Sequence, residues 1–271
     1  MANTIRTQVL RAIRNNTTVR RIGSSFPRLP NGWVDAVRQL GLFVGAELCY
    51  ETVRGVAEGR NVEAFSNAAS IINFERSTGT FFEPALQSSL IDERWLIDTA
   101  NFLYVNSHFV VTTAFLIWLY FYRNPNFYFV RNMFMVAMAL ALVGYLLVPT
   151  APPRLVPSVG FVDTIATYSQ VKHDSAMVSM FINPFAAVPS MHVCFSLLVG
   201  IPAAMLVKRR VFSVLWLLYP VMVFFVVLVT GNHFWVDAAA GATVALASGL
   251  TANLILARAR PRAWAWRTAT A

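Results

Sequence analysis

Two histidine-containing segments hold the side chains best suited to chemistry. The first is Pro189-Ser190-Met191-His192, and the second is the hexapeptide Asn-His-Phe-Trp-Val-Asp that ends at Asp237. Each lies at the mouth of a long apolar run, where ionisable side chains are costly if the run enters a bilayer. Their position therefore indicates a functional site.

His233 and Asp237 are four residues apart, a spacing that places two side chains on one face of a helix. The aspartate could hold one ring nitrogen and leave the other pointing outward, as an orienting group does for a nucleophile. A purely structural hydrogen bond is the simpler alternative.

Arg154 and His192 could contribute to an anion site. Arg154 follows Pro152-Pro153, and its planar guanidinium can bind two phosphate oxygens at once. His192 begins an apolar run, where a helix N-terminus would add N–H donors and partial positive charge. Each residue alone could equally be an interfacial anchor or a cap. The convergence of three distant segments at span ends favours a joint phosphate site.

The elements that must position these residues are membrane helices. The chain is 56% hydrophobic and 13% charged over 271 residues, and several stretches approach the roughly 20 apolar residues that a spanning helix needs. We therefore predict an all-α, polytopic membrane bundle of about six helices. The first span contains Arg38, Glu47 and Glu51, so it could instead be an interfacial or tightly packed helix. The candidate spans are 36–53, 102–122, 132–148, 191–207, 211–230 and 238–257.

The basic residues predict an orientation. With six spans, all but six of the 22 Lys and Arg residues fall on one side, which the positive-inside rule makes cytoplasmic. The site segments then share the extracytoplasmic or lumenal face. We predict a basic cytoplasmic arm over 1–33, one membrane-embedded domain over 34–257 and a basic cytoplasmic tail over 258–271. A transit peptide is the alternative for the arm. The six other basic residues are Arg54, Arg60, Arg76, Arg94, Arg154 and Lys172.

The net charge of +9 does not indicate nucleic-acid binding. The basic residues are spread along one membrane face without a recognisable nucleic-acid motif, and such a layer suits anionic lipid head groups. The expected partner is the bilayer. Two cysteines provide no disulfide framework.

Two polar segments interrupt the spans. Residues 54–101 interleave aromatic and charged side chains, which predicts either an interfacial helix or a helix packed over the bundle mouth. Residues 149–190 are longer than a turn requires and rich in proline, which favours a functional loop.

At its two histidine segments the chain resembles the type 2 phosphatidic acid phosphatase superfamily, over roughly residues 100–257. The Pro-Ser-Gly-His element of that family appears as Pro189-Ser190-Met191-His192. Its histidine followed four residues later by aspartate appears as His233 and Asp237. The resemblance implies a six-helix bundle and a phosphohistidine mechanism.

The basic residues of the family pattern are incomplete. Of its first motif only Arg154 remains, because Leu147 replaces a lysine and Leu155 a proline. Val226 and Val227 stand where a Ser-Arg pair should precede the third motif. Two phosphate-binding cations of the standard enzyme are thus absent.

These departures resemble the inositol phosphorylceramide synthase branch, whose second motif tolerates Met or Leu before the histidine. That branch also has a polar residue directly before its third motif, as in Thr230-Gly231-Asn232-His233, and Gly241 fits its pattern.

The resemblance assigns roles to the site residues. His233 would attack phosphorus, Asp237 would fix its tautomer, and His192 would protonate the leaving oxygen and then activate water or an acceptor hydroxyl. The non-bridging oxygens would be held by Arg154, Ser190 and Asn232.

A cradle with few cations suits a phosphodiester better than a phosphomonoester dianion. The expected reaction is therefore transfer of a phospho-head group to or from an inositol-like acceptor, with hydrolysis of a lipid phosphomonoester as the alternative. Arg76 and Lys172 lie on the correct face to add charge, and His108 could reach the site from the second span.

Two other classes remain open, although we predict neither a metal nor a cofactor. His192, His233 and Asp237 have ligand types that suit a metal-dependent lipid hydrolase or hydroxylase. A lipid transporter or non-catalytic membrane protein is the second rival, but transporter sites tend to lie near the bilayer midplane.

Overall fold

The computed structural model describes residues 29–57, 59–168 and 185–267. Within these ranges the chain is helical, and its sole strand-like pairing is an isolated parallel bridge between Thr150 and Ala186. The predicted all-α fold is confirmed. Lys172 and most of the basic arm lie outside the described residues.

The helices follow one another with short connections, apart from the long segment between α5 and α7. In chain order they are α1 (Gly32–Ala57), α2 (Asn61–Ser77), α3 (Glu83–Leu90), α4 (Arg94–Tyr122), α5 (Asn124–Leu147), α6 (Thr164–Tyr168), α7 (Met191–Leu206), α8 (Arg210–Val229), α9 (Trp235–Thr251), α10 (Ala257–Ala259) and α11 (Pro261–Trp264). Two 3₁₀ turns, Pro153–Leu155 and Pro157–Val159, precede α6, and a π-helical turn, Ala252–Leu256, joins α9 to α10.

Four of the described helices are long and apolar enough to cross a membrane: α4, α5, α8 and the continuous stretch Trp235–Ala259. The apolar helix α7 has only 16 residues. α1 is long enough, but its charged residues keep it outside this set. The structure therefore supports a polytopic bundle, while the number six stays a prediction.

α1 is attached to the bundle through polar contacts. The carboxylate of Asp35 accepts hydrogen bonds from the hydroxyls of Tyr120 and Tyr128, at 3.0 and 2.8 Å. Gln39, one turn along α1, accepts a 2.8 Å hydrogen bond from buried Arg131 of α5. Large apolar side chains of α1 such as Val34 are exposed, because no other described part of the chain covers them. The start of α1 is therefore packed against α4 and α5 through polar contacts.

The bundle core is aromatic and aliphatic, and one close helix crossing shapes it. Phe134, Tyr145 and Leu198 are almost fully buried between α5 and α7. Gly200 lets α7 approach α8, because a Cβ there would lie 2.6 Å from the Trp216 carbonyl oxygen. The opposite side of α8 exposes aliphatic residues such as Leu215 and Leu218, as a lipid-facing surface would.

α2 packs over one end of the bundle. Ala64, Ala68 and Ile72 are buried on one face of α2, in an apolar cluster with Phe161 and Phe234. Of the two sequence interpretations of segment 54–101, the packed helix is the one observed for α2. The cluster covers the residues that connect α8 to α9.

The end of the bundle that holds the predicted site residues is called the site end. The opposite end, formed by the α4–α5 turn, the α7–α8 turn and the C-terminal segment, is called the basic end. The ends of α5 and α8 lie beside the starts of α7 and α9, because backbone hydrogen bonds join the segments that flank them: Thr150 to Phe185 (2.9 Å), Arg154 to Gly231 (2.7 Å) and Ser190 to Asp237 (3.0 Å). At the other end, the start of α5 holds the C-terminal segment through hydrogen bonds between Asn126 and the backbone of Arg267.

Candidate active site

The structure brings the three site segments together at one end of the bundle. The ring centroids of His192 and His233 are 5.9 Å apart. Arg154 donates a 2.8 Å hydrogen bond to the side-chain oxygen of Asn232, the neighbour of His233. Ser190 donates its backbone N–H to the Asp237 carbonyl at 3.0 Å. All six sequence-predicted site residues therefore belong to one locus.

Close backbone approach fixes this locus. At Gly241 a Cβ would lie 2.2 Å from the carbonyl oxygen of Ser190, so α9 and the start of α7 touch through their backbones. Gly231 has a φ of +68°, a left-handed conformation that glycine adopts without strain. Its carbonyl accepts the backbone N–H of Arg154 at 2.7 Å. These two glycines hold the Arg154 loop and the Ser190 turn against the His233 segment.

His233 is buried and neutral. Burial, with a smaller contribution from the positive charge of Arg154, lowers the pKa of His233 to about 3. Its Nδ1 lies 3.4 Å from Oδ2 of Asp237, without the geometry of a hydrogen bond, and the ring hydrogen-bonds the backbone carbonyl of Ala187. A neutral imidazole retains the lone pair that a nucleophile needs.

Asp237 accepts a backbone hydrogen bond and also lies beside His233. Its Oδ2 accepts the Phe234 N–H at 2.9 Å and so satisfies the backbone donor that directly precedes α9. Its Oδ1 makes no hydrogen bond within the described part of the chain. The carboxylate is fully buried, so it faces His233 from a fixed position.

His192 receives its environment from α4. Its Nε2 lies 3.2 Å from the Tyr104 carbonyl oxygen, and the Tyr104 ring stacks on the imidazole with centroids 4.2 Å apart. His108, one turn further along α4, has its ring centroid 4.8 Å from that of His192 and stacks on Phe195. The structure therefore places His108 beside His192, where it packs against an aromatic ring.

Ser190 and Asn232 have different hydrogen-bond states. Ser190 is fully buried, and its Oγ makes no hydrogen bond within the described residues, which leaves it available to a phosphate oxygen. The amide of Asn232 is engaged at both atoms, because it donates to Thr230 Oγ1 at 2.8 Å and accepts from Arg154. In this state Asn232 orients the arginine.

Asp163 is a site residue that the sequence did not reveal. Its Oδ2 lies 3.5 Å from Nε of Arg154, in a partly buried ion pair. Asp163 stands nine residues after Arg154 inside the proline-rich loop, and its acidic type was the only signal available. The pair sets one negative charge beside the predicted phosphate-binding cation.

Glu75 and Glu83 are two further acidic residues that sequence analysis missed. Both are fully buried. Glu83 accepts the Trp235 N–H at 2.8 Å, and Glu75 accepts the Val236 N–H at 3.3 Å. Burial, followed by the nearby charge of Glu83, raises the pKa of Glu75 to about 8. These carboxyl groups, which come from α2 and α3, cap the helix that carries Asp237.

The two other basic residues that were expected to add positive charge, Arg76 and Lys172, are not among the observed contacts of the site. Arg76 is exposed, and its guanidinium lies over the Phe81 ring, 5.1 Å from the centroid. Lys172 lies outside the described residues. Within the described ranges, no group of three or more His, Cys, Asp or Glu side chains is arranged to hold a metal ion, so the metal-dependent alternative gains no support from geometry.

Comparison with protein families agrees with this arrangement of helices and site. Residues 69–251 match the PAP2 superfamily, which is the type 2 phosphatidic acid phosphatase superfamily named above. The match covers more than half of the chain, and the chain belongs to this superfamily. It extends from α2 to the end of α9 and thus includes every site residue described here. No curated protein and no solved structure matches the chain significantly. Membership supports a lipid phosphatase or phosphotransferase function.

Proposed function

We propose that the protein is an integral-membrane enzyme that transfers the phospho-head group of a lipid through a covalent phosphohistidine at His233. The observation that carries this proposal is the position of the buried His233, with Asp237 on one side and the Arg154–Asn232 pair nearby. That arrangement supplies a nucleophile, an orienting carboxylate and a cation for the phosphate oxygens.

The first half-reaction forms the phosphohistidine. In the reacting state we place the proton of His233 on Nδ1, on the side of Asp237. The lone pair of Nε2 then attacks phosphorus in place of the ring's contact with the Ala187 carbonyl. The new N–P bond forms as the P–O bond to the leaving group breaks, and His192 donates a proton to the departing oxygen. Asp237 stabilises the ring, which becomes cationic in this step.

The second half-reaction releases the phosphoryl group. An acceptor hydroxyl or water attacks phosphorus while His192 takes the proton from the attacking oxygen, and the N–P bond breaks to restore His233. Arg154 and the free Oγ of Ser190 hold the non-bridging oxygens in both halves. The same residues therefore serve transfer and hydrolysis, and the acceptor decides between them.

We infer that transfer to an inositol-like acceptor is the main reaction and that phosphomonoester hydrolysis is the alternative. The support is the low positive charge of the cradle, in which Arg154 is paired with Asp163. A phosphodiester carries one negative charge, whereas a phosphomonoester carries close to two at neutral pH. A cradle with little net positive charge favours the former.

We also propose that the site faces the extracytoplasmic or lumenal side. The support is the opposite placement of the site end and the basic end, because basic segments are retained in the cytoplasm. A lipid head group of that leaflet would reach the site from the membrane surface.

The decisive experiment uses detergent-purified protein and its His233→Ala variant, each incubated with phosphatidic acid, with phosphatidylinositol, and with phospholipid plus free inositol. Free phosphate formed by the parent and lost in the variant supports hydrolysis. A new inositol-containing lipid with little phosphate release supports transfer. Lys208→Ala, at an exposed position beyond the end of α7, is the matched control. Equal activity of the parent and His233→Ala would contradict the catalytic role and favour a transporter or non-catalytic protein.

A further inference from the structure

The carboxylate of partly buried Asp163 is held by contacts at both of its oxygens. Its Oδ1 accepts the backbone N–H groups of Ile165 and Ala166, at 3.1 and 2.9 Å. Its Oδ2 is thereby left to face Arg154 at 3.5 Å. A side chain fixed through two backbone donors cannot easily swing away when a substrate arrives.

The residues on both sides of Asp163 are anchored as well. The N–H of Val162 donates to Gln87 at 2.8 Å, and Gln87 in turn donates to the Val162 and Val229 carbonyls. Thr164 donates to Asn101 at 2.8 Å. Residues of α3 and α4 therefore hold this short segment directly, and Gln87 links it to α8. The position of the negative charge is thus fixed by the fold.

This charge lies where it would act on a bound phosphate. Arg154 has one face toward Asn232 and another toward Asp163. A phosphate bound to the same guanidinium would lie within roughly 6 Å of the Asp163 carboxylate, given the size of an arginine–phosphate pair. At that separation, in a partly buried site, the Asp163 carboxylate repels each additional negative charge on the phosphate.

We propose that Asp163 is a specificity-determining residue, which selects singly charged phosphodiesters by opposing the binding of doubly charged phosphomonoesters at Arg154. This inference rests on the proposed function, because it concerns the substrate of the same site. The alternative is that Asp163 only orients Arg154. A purely orienting role predicts equal losses for both substrate classes when the carboxylate is removed.

The test compares the parent with Asp163→Asn and Asp163→Ser. Both replacements keep a side-chain acceptor suited to the start of a helix, so α6 retains its cap. We measure kcat/KM for phosphatidic acid and for phosphatidylinositol at pH 8, where the monoester is a dianion. The expected result is a ratio of monoester to diester activity that rises by about tenfold in both variants. An unchanged ratio, or equal losses for both substrates, would overturn the proposal.

Two controls separate charge from folding. Asp163→Glu keeps the negative charge and should keep the parent ratio. Asp98→Asn removes an equivalent charge from an exposed ion pair with Arg94 and should also leave the ratio unchanged.

A binding measurement distinguishes failure of this inference from failure of the proposed function. Inorganic phosphate at pH 8 is titrated calorimetrically into the parent and into Asp163→Asn. Tighter phosphate binding by the variant, again by about tenfold, supports the proposal that Asp163 repels the bound anion, even if no lipid substrate turns over. Equal or weaker binding by the variant contradicts it. Absence of turnover in the parent, by contrast, bears on the proposed function alone.

Discussion

Ser190 and Asn232, both assigned to the proposed phosphate site, differ in their hydrogen bonding. Both residues are buried, yet the Oγ of Ser190 makes no hydrogen bond in the described part of the chain, while the amide of Asn232 is engaged at both atoms. A buried hydroxyl without a partner is costly unless a ligand supplies one. We therefore propose that the Ser190 hydroxyl gains its partner when a phosphate binds, whereas the Asn232 amide supports Arg154.

Ser190→Ala should therefore reduce activity without reducing stability. We expect kcat/KM to fall by about 10- to 100-fold, because a hydrogen bond to a charged phosphate oxygen is lost. The melting temperature should not fall, since the Oγ has no hydrogen bond to lose. Kinetics and thermal unfolding in detergent check both parts. Ser196→Ala on the same helix, whose Oγ donates to Val193, is the control and should keep full activity. A large fall in melting temperature for Ser190→Ala would contradict this interpretation.

At the scale of elements, the start of α9 depends on carboxyl groups from elsewhere in the chain. Consecutive backbone N–H groups of Phe234, Trp235 and Val236 are accepted by Asp237, Glu83 and Glu75 respectively. Helix starts leave such donors unsatisfied, and negative charge there is favourable. α2 and α3 thus take part in the site by fixing the helix next to His233.

The raised pKa of Glu75 predicts how stability varies with pH. Between its ordinary value of 4.5 and about 8, the folded state holds a proton that the unfolded state has lost. Stability therefore falls as pH rises through this window, and the loss is complete above about pH 8. Glu75 is faced by Glu83 of α3 and by Asp237 of α9, and both neighbours raise its pKa.

In Glu75→Gln this source of pH dependence is absent. The melting temperature should decline less between pH 5 and pH 8 in the variant than in the parent, as measured by thermal unfolding at both values. Glu63→Gln, which alters an exposed pair with Arg60 on the same helix, is the control and should keep the parent slope. An identical slope for Glu75→Gln and the parent would show that Glu75 is ionised throughout.

Gly241 predicts a second effect at the same scale. In Gly241→Ala the new Cβ would meet the Ser190 carbonyl at 2.2 Å, which forces α9 away from the start of α7. We expect a loss of about 1–3 kcal/mol in unfolding free energy, together with most of the activity. Gly249→Ala, eight residues further along α9, would meet only the flexible end of Met133 at 3.7 Å. It should be nearly neutral, and comparable losses in the two variants would contradict the importance of this contact.

At the scale of the whole molecule, the basic end and the site end predict sidedness. Single-cysteine variants made in a Cys49→Ser, Cys194→Ser background can be labelled in intact cells with a membrane-impermeant maleimide. Ser88→Cys, exposed on α3 at the site end, should react from outside. Lys208→Cys, exposed at the basic end, should react only after permeabilisation. The reverse pattern would place the site in the cytoplasm.

The sequence was sufficient for the residues whose type and spacing carry meaning by themselves. His192, His233, Asp237 and Arg154 could be proposed as site residues because each stands near the end of an apolar run, and a helix fixes which side chains share a face. The helical fold followed from composition. These inferences depend only on local chain geometry and on the length of a bilayer-spanning helix.

The remaining features depend on contacts between distant segments. Glu83 and Glu75 contact residues 152 and 161 positions away. Asp163 contacts Arg154 across a loop. No local pattern marks any of the three. Likewise, the charges of α1 could not show that Asp35 is accommodated by two tyrosines of other helices. Pairings of this kind are decided when the chain packs.

The shortness of α7 has a consequence for how a lipid meets the enzyme. Sixteen residues of helix extend about 24 Å, less than the roughly 30 Å of a hydrocarbon core. A short turn joins α7 to α8 at the basic end. With that turn at the membrane surface, the His192 end of α7 would stop several ångströms below the level that a full-length span would reach. By the proposed mechanism, phosphorus would then be attacked at the depth where acyl chains meet head groups. The lipid substrate would not need to rise out of its leaflet to react, and a lipid product could diffuse away within the plane of the membrane.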